Sequence, residues 1–339
     1  PTAPRCRYPS PWLLSIMSCA NVLSDPLPQV LTTRLFPKNQ GALRYEITGI
    51  AARCDWVVLS DTQPPFTALI RQRETSNPRH VFLSLRSPFA ALAFFFDHAL
   101  PMIASPFVLI SGSEDVTIPH QCDKRWRPFN DEERRRIFAL LDDSRLLHWH
   151  AENLDAAIHP RLSPLPLGLV FPENRHHQIF QNLTIPRLAD RPMQVLCAHR
   201  VREGPQWELR RNITRLCRES FADFCTILED EVPESTFLEL LQHHAFVICA
   251  EGGGLDPSPK AWQAILNGTI PIVRSTALDG AYRQLPVAFV NQWDTTALSA
   301  QKLAIWHHRY CAMHDDPRHR QLVLQRLGID YWWERINCN

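Results

Sequence analysis

Phe246-Val247-Ile248-Cys249-Ala250-Glu251-Gly252-Gly253-Gly254-Leu255-Asp256, followed by Pro257 to Leu266 and then Asn267-Gly268-Thr269-Ile270-Pro271-Ile272-Val273, is the stretch on which the fold turns. Ala245 to Ala250 is continuously apolar, as in a strand buried on both faces. An acid and three glycines end it. Ser258 to Leu266 reads as a helix that stops at Asn267-Gly268, and Thr269 to Val273 as the next strand. The order of parts describes one βαβ unit with a glycine turn at the strand's C-terminal end, where α/β sheets bind ligands. Glycines let the backbone approach a ligand closely, and the NH groups of a helix N-terminus favour an anion such as a diphosphate. Gly252, Gly253, Gly254 and Asp256 form the candidate ligand-binding turn. Glu251 is placed to accept from sugar or ribose hydroxyls, and Lys260 adds a cation in the first helical turn. The spacing is neither a Walker loop nor a GxGxxG dinucleotide turn.

The same alternation extends outward. Met193 to Ala198, Phe224 to Leu228 and Val287 to Val290 read as strands, with helices over Gln206 to Phe221 and Pro233 to His243. In the first half, strands are expected at Trp56 to Leu59, Val81 to Leu85, Phe107 to Ile110, Arg145 to Trp149 and Leu162 to Leu167. Asn130 to Leu141 opens with an Asn cap and three acids, then repeats apolar residues at helical spacing. Strands alternating with helices argue for parallel α/β sheets. The 339 residues exceed a single typical domain of roughly 100–150 residues, so two domains are expected. Pro164 to Pro172 blocks regular pairing, which puts a hinge near residues 170–190. The expected division is 1–172, 173–325 and a tail helix over 326–339, which overlaps an amphipathic stretch, Leu322 to Trp333, expected to be a packed C-terminal helix.

Composition narrows the function classes. Hydrophobic residues make up 45% and charged residues 21%, as in a folded protein. A net charge of +1 gives no reason to expect nucleic acid or an anionic membrane as partner. No apolar run approaches the roughly 18 residues of a membrane span. Trp12 to Ala20 reads as a buried N-terminal segment rather than a signal core. The chain starts at Pro1, which fits removal of an initiator Met or of a longer leading segment. The 10 cysteines form no CxxC pair, and Cys197, Cys225 and Cys249 sit in strand-like runs as small hydrophobes. Reduced thiols and a cytoplasmic setting are favoured over a secretory lumen. The sequons at Asn182, Asn212 and Asn267 occur near chance frequency. The histidines form no HExxH, so no metal is expected.

The run Glu251 to Asp256, then Lys260-Ala261-Trp262-Gln263-Ala264-Ile265-Leu266, Asn267 to Val273, Leu278-Asp279 and Leu285-Pro286-Val287 resembles the C-terminal half of exostosin-like glycosyltransferases. The resemblance covers about residues 193–295. It implies two Rossmann-like domains facing across a cleft, the GT-B arrangement. It also implies transfer, with inversion, of a sugar from a nucleotide-diphosphate donor, typically a UDP-sugar, to a glycan or glycoconjugate acceptor. The nucleotide sugar is then a co-substrate and no cofactor is needed. Gln263 stands where that family often has Glu, and Lys260 where it often has Arg, which keeps charge without bidentate geometry. Two other readings stay open: a fucosyltransferase-like enzyme using a GDP-sugar, and a catalytically silent glycan- or nucleotide-binding protein.

Further candidates follow from strand ends. Arg200 and Arg202, after the strand Met193 to Ala198, are placed to neutralise a diphosphate, or else to be solvated loop residues. Arg210, Arg211 and Arg215 are expected on the solvent face of the following helix, and Glu229 to Glu231 in a loop near the donor base or in solvent. An inverting transfer needs a general base within reach of the acceptor hydroxyl. Asp115, on the loop after Phe107 to Ile110, is the favoured candidate, with Glu114 and Asp61 as rivals. Trp149 is a candidate for stacking on a sugar, or a core residue; Asn153 is a candidate hydrogen-bonding partner of a sugar.

Overall fold

The computed structural model describes residues 29–170 and 185–338. The segment Trp12 to Ala20, Cys6, Cys19, the sequon at Asn182 and the expected boundary at 172/173 lie outside the described residues.

The first domain holds β1 (Trp56–Thr62), β2 (Pro65–Arg71), β3 (His80–Ser84), β4 (Phe107–Gly112), β5 (Leu146–Ala151) and β6 (Leu162–Pro164). They form one sheet in the order β2-β1-β3-β4-β5-β6. All neighbours are parallel except β1 and β2, which form an antiparallel hairpin with Trp56 opposite Arg71. β2 was not legible in the sequence. Its residues are half-exposed on an edge, so Pro65-Phe66-Thr67-Ala68 lacks the apolar run of a central strand. Helices α1 (Pro88–Phe94) and α2 (Asp131–Asp142) flank the sheet. The start of α2 carries the expected cap: Asn130 accepts from the Glu133 NH, and the Glu133 side chain accepts in return from the Asn130 NH.

The second domain contains β7 (Val195–Cys197), α3 (Glu208–Glu219), β8 (Cys225–Ile227), α4 (Glu234–Gln242), β9 (Phe246–Ile248), α5 (Pro259–Leu266), β10 (Ile270–Arg274), α6 (Asp279–Tyr282) and β11 (Ala288–Val290). Its sheet runs β11-β10-β9-β7-β8, and every pairing is parallel. Both faces are covered, as the unalternating strands required. Phe246 and Ile248 join one apolar cluster, while Val247 and Cys249 point to the other. Cys54, Cys197, Cys217 and Cys249 are buried free thiols.

Three helices close the chain: α7 (Ala300–Asp315), α8 (Pro317–Leu327) and α9 (Ile329–Asn337). The single amphipathic helix expected over Leu322 to Trp333 is therefore two helices, broken at Gly328 where the backbone becomes extended. α9 crosses back to the first domain. Asp330 pairs with Arg53, and Trp333 packs on His80 with ring centres 4.5 Å apart. Within the described residues no helix is long and apolar enough to cross a membrane.

The architecture is thus two Rossmann-like α/β domains with their parallel strands' C-terminal ends turned toward a shared cleft. Loops after β4 and β5 meet the loop after β9. The Asn153 side-chain carbonyl accepts from the Leu255 NH (2.9 Å) and the Asp256 NH (2.8 Å), tying the domains together.

Candidate functional site

The strand order of the second sheet reverses between β7 and β9: β8 lies on one side of β7, and β9, β10 and β11 on the other. Loops leaving two strands at such a point diverge and open a crevice, the standard ligand position in an open α/β sheet. A cavity of about 610 Å³ lies there. Arg200 after β7, Glu229 to Glu231 after β8, and Lys260 and Gln263 on α5 line it. That volume is in the roughly 300–1,000 Å³ range of small-molecule sites. Arg200 reaches it while its Nε pairs with Glu231 at 2.9 Å, both side chains being more than half exposed. Lys260 donates to the Ala198 carbonyl and lies 5.3 Å from the Phe237 ring centre. Burial, helped by Arg210 and Arg200, pushes its ammonium down to about 8. Arg202 does not line this cavity; it pairs with Glu231 at 3.4 Å on the surface. Arg211 lines it, whereas Arg215 is exposed and pairs with Glu219.

A second cavity of about 250 Å³ lies between the domains, bordered by Arg34, Asp115 and Glu114 on one side and Arg210, Gly252 and Asp256 on the other. Pro259, beside Lys260, borders it too, so the two cavities flank the start of α5. Here Asp115 and Glu114 are enclosed in a charge network. Arg34 Nη2 contacts Asp115 Oδ1 (2.5 Å) and Glu152 Oε1 (2.8 Å), and Arg125 Nη2 reaches Asp115 (3.0 Å), Glu114 (3.1 Å) and Asp123 (2.7 Å). Burial opposes ionisation of Asp115, but Arg34 and Arg125 outweigh it and hold the carboxyl below the usual range. Glu152 is buried behind them; burial, abetted by Asp115 and Asp256, pushes it up to about 7 against the pull of Arg34. Gly112 makes room for it, since a Cβ there would lie 2.6 Å from Glu152 Oε2. Asp256, fully buried, is raised to about 6 by burial while accepting from Tyr282 OH (3.0 Å) and the Leu167 NH (3.2 Å).

Several residues read from the sequence play other parts. Trp149 is 0% exposed and donates its indole NH to Ser111 (2.9 Å); it is core and has no face for a sugar. Asn153 is buried and spends its carbonyl on Leu255 and Asp256, a domain strut rather than a sugar contact. Asp61 is buried away from both cavities and accepts from Tyr45 OH, Asn39 NH and Thr62 NH, which removes it as a rival base. Glu251 is buried, its Oε1 held by Arg274 Nε (2.5 Å), and it borders neither cavity; its Oε2 has no partner. The glycines divide. Gly252 borders the interdomain cavity, whereas a Cβ on Gly253 would strike Arg125 and one on Gly254 the Asp115 carbonyl. At Gly253 and Gly254 the glycines admit the other domain.

Arg34 and Arg125 were missed because no local motif surrounds them. Arg210, expected in solvent, donates to the Glu251 (3.0 Å) and Ala250 (3.3 Å) carbonyls and borders the interdomain cavity. It does carry a signal: Arg210, Ile213, Thr214 and Cys217 share one helical face. Among the described residues, no group of three or more His, Cys, Asp or Glu side chains is arranged to hold a metal ion.

No family model and no curated protein matches the chain. Solved structures similar to it include a UDP-forming α,α-trehalose-phosphate synthase from Burkholderia vietnamiensis, at 9% identity and a TM-score of 0.39, covering 78% of this chain and 71% of that one. The corresponding protein from Burkholderia xenovorans is 10% identical, with a TM-score of 0.38 and coverage of 76% and 72%. A trehalose-6-phosphate protein from E. coli bound with UDP-2-fluoro glucose is 10% identical, with a TM-score of 0.37 and coverage of 74% and 76%. Likeness at this level carries no residue role across to this chain.

Proposed function

We propose that this protein is an inverting, metal-independent glycosyltransferase that moves a sugar from a nucleotide-diphosphate donor, a UDP-sugar, to a hydroxyl of a glycan acceptor. One observation carries the reading: a nucleotide-sized, cation-lined cavity at the second sheet's reversal point adjoins, across the start of α5, an interdomain cavity bearing Asp115. In this reading the nucleoside lies beside Ile227 to Glu231, and Arg200 and Lys260 meet the diphosphate. Their fixed charges stabilise the leaving group as negative charge develops on it. The sugar extends past Gly252 toward Asp115, which takes the acceptor proton from the face opposite the leaving group.

A second reading, a catalytically silent nucleotide- or glycan-binding protein, is favoured by the state of Asp115. A carboxylate held low by two arginines is a weak base. One experiment separates the two. UDP should raise the melting temperature, and a panel of nucleotide sugars should be hydrolysed or transferred. Asp115→Asn should abolish transfer while UDP still binds. Absence of any nucleotide response would defeat the transferase reading and leave only a glycan-binding protein, binding without turnover would favour the second reading, and an active Asp115→Asn protein would remove Asp115 as the base. A response to GDP in place of UDP would change the donor and leave the rest standing.

A further inference from the structure

We propose that α9 is an acid-released latch: it holds the two domains together while His150 beneath it is neutral, and protonation of His150 frees it from the first domain. The latch is independent of the transferase reading. α8 is fastened to the second domain, where Arg320 donates to the Ile265 and Leu266 carbonyls (both 2.6 Å) that end α5. α9 continues from it onto the first domain, at Arg53 and His80.

The crossovers β3-α1-β4 and β4-α2-β5 advance in the same direction along the sheet, so right-handed connections put α1 and α2 on one face. The opposite face is left to α9. His80 sits beside Val108 and Val108 beside His148, while Phe82, Ile110 and His150 form the next row. Registered neighbours point the same way, and alternate residues of a strand share a face. His80, whose ring packs on Trp333 of α9, therefore marks the face that also carries His148 and His150. Phe107, on the other face, packs near Phe95 beside α1, with ring centres 6.5 Å apart. His150 is 4% exposed and its Nε2 has no hydrogen-bond partner. Its ring centre lies 4.5 Å from that of His148, whose Nε2 shares a 2.7 Å hydrogen bond with the Ser163 hydroxyl. Burial, then His148, Arg335 and His80, push the His150 imidazole down to about 3. Those groups lie on its own strand, on α9 and on β3, and none is an acid. His148 is lowered by burial and by His159, which lies 3.7 Å from Asp142 of α2. His80 is lowered by burial, Arg79 and Arg73, against Asp55 and Asn337; Asp55 is already held by Arg73 (3.0 Å) and by the NH groups of Arg79 and His80. A protonated His150 is thus a buried cation facing other bases and an arginine, and lifting the helix that covers it lets water reach it. α9 is 9 residues long and contributes no strand, so its undocking leaves both sheets paired.

The test is amide hydrogen exchange of the full chain, read by mass spectrometry at about pH 7.5 and about pH 5 and corrected for intrinsic rates. An undocked state with an ordinary imidazole, near about 6.5, takes up the proton that the docked state refuses. Opening of α9 should therefore rise about thirtyfold across this interval. Protection of α3, in the second domain, should stay within about twofold. His150→Phe, which keeps a ring and cannot titrate, should remove most of the rise. An α9 that keeps its protection at about pH 5 overturns the latch. So does an equal rise in α3, which would mean unfolding of the whole chain, or a full rise in His150→Phe. If His150→Phe folds poorly, the imidazole resonance of His150 in wild type decides. It should stay in the neutral position while α9 remains protected; titration near about 6.5 with α9 still docked overturns the proposal.

Discussion

The two cavities are built on opposite principles. The larger belongs to one domain and lies where one sheet's strand order reverses; its ion pair, Arg200 with Glu231, is exposed. The smaller exists only because two domains meet, and its pairs, around Arg34, are buried. The first sheet has no comparable reversal among its parallel strands, which run β1-β3-β4-β5-β6 in one direction. It contributes to the cleft through loops and long-range ion pairs instead. A site at a sheet's reversal point comes with the topology; a site between domains has to be assembled from distant charges.

The sharpest way to break this contrast is Arg34→Met. Removing the cation strands Glu152 in the interior while Asp115 keeps Arg125, at a cost of about 3–5 kcal/mol in chemical denaturation. The loss should depend on pH. Glu152 is already raised from 4.5 to about 7, and without Arg34 it rises further. A raised acid is harmless below its unfolded value and costs stability as pH rises above it. The variant should therefore lose more at about pH 8 than at about pH 5. Equal losses at both would show that Glu152 does not depend on Arg34.

A smaller effect separates the glycines. Gly254→Ala places a Cβ 2.2 Å from the Asp115 carbonyl and 2.5 Å from Asn153 Oδ1, whereas at Gly252 the nearest atom is Arg210 Nη2 at 3.4 Å. Thermal or urea melts should show Gly254→Ala destabilised by about 1–3 kcal/mol. Gly252→Ala should stay within about 0.5 kcal/mol of wild type. Reversed effects would mean that Gly252, not Gly254, is the point of domain contact.

The weakest effects concern the exposed cavity. Lys260, pushed down to about 8, loses its charge as pH rises through that value. UDP affinity in wild type should fall about tenfold between about pH 7 and about pH 9, and Lys260→Met should start weak and show no such fall. Arg202→Ala, which breaks only a surface pair, should change affinity or stability by about 0.5 kcal/mol or less. A large loss in Arg202→Ala would bring that side chain into the donor site.

How much was legible follows the same division. The parallel strands, α2 with its cap, and the unit from β9 through α5 to β10 all follow from contiguous patterns in the chain. Arg200 and Lys260 were readable because a strand end and a first helical turn have known directions. Trp149 was ambiguous because an aromatic residue at a strand end suits a core or a cleft equally; only its neighbours choose, and they enclose it. Glu251 looked available because the side chain that claims it, Arg274, ends the next strand rather than lying nearby in the chain.

Apolar periodicity, caps and glycine turns are local. They depend on a residue and its near neighbours, so the amino-acid order alone was enough for two parallel α/β domains and a glycine turn at Glu251 to Asp256. The network of Arg34, Asp115, Glu152 and Arg125, and the use of Gly253 and Gly254 as contact surface, came only with the packing of one sheet's loops against the other's. Arg34 and Asp115 are 81 residues apart, and an ion pair across such a gap leaves no periodic trace. The energy that brings them together belongs to the folded interior, where a charge without its partner is costly to keep.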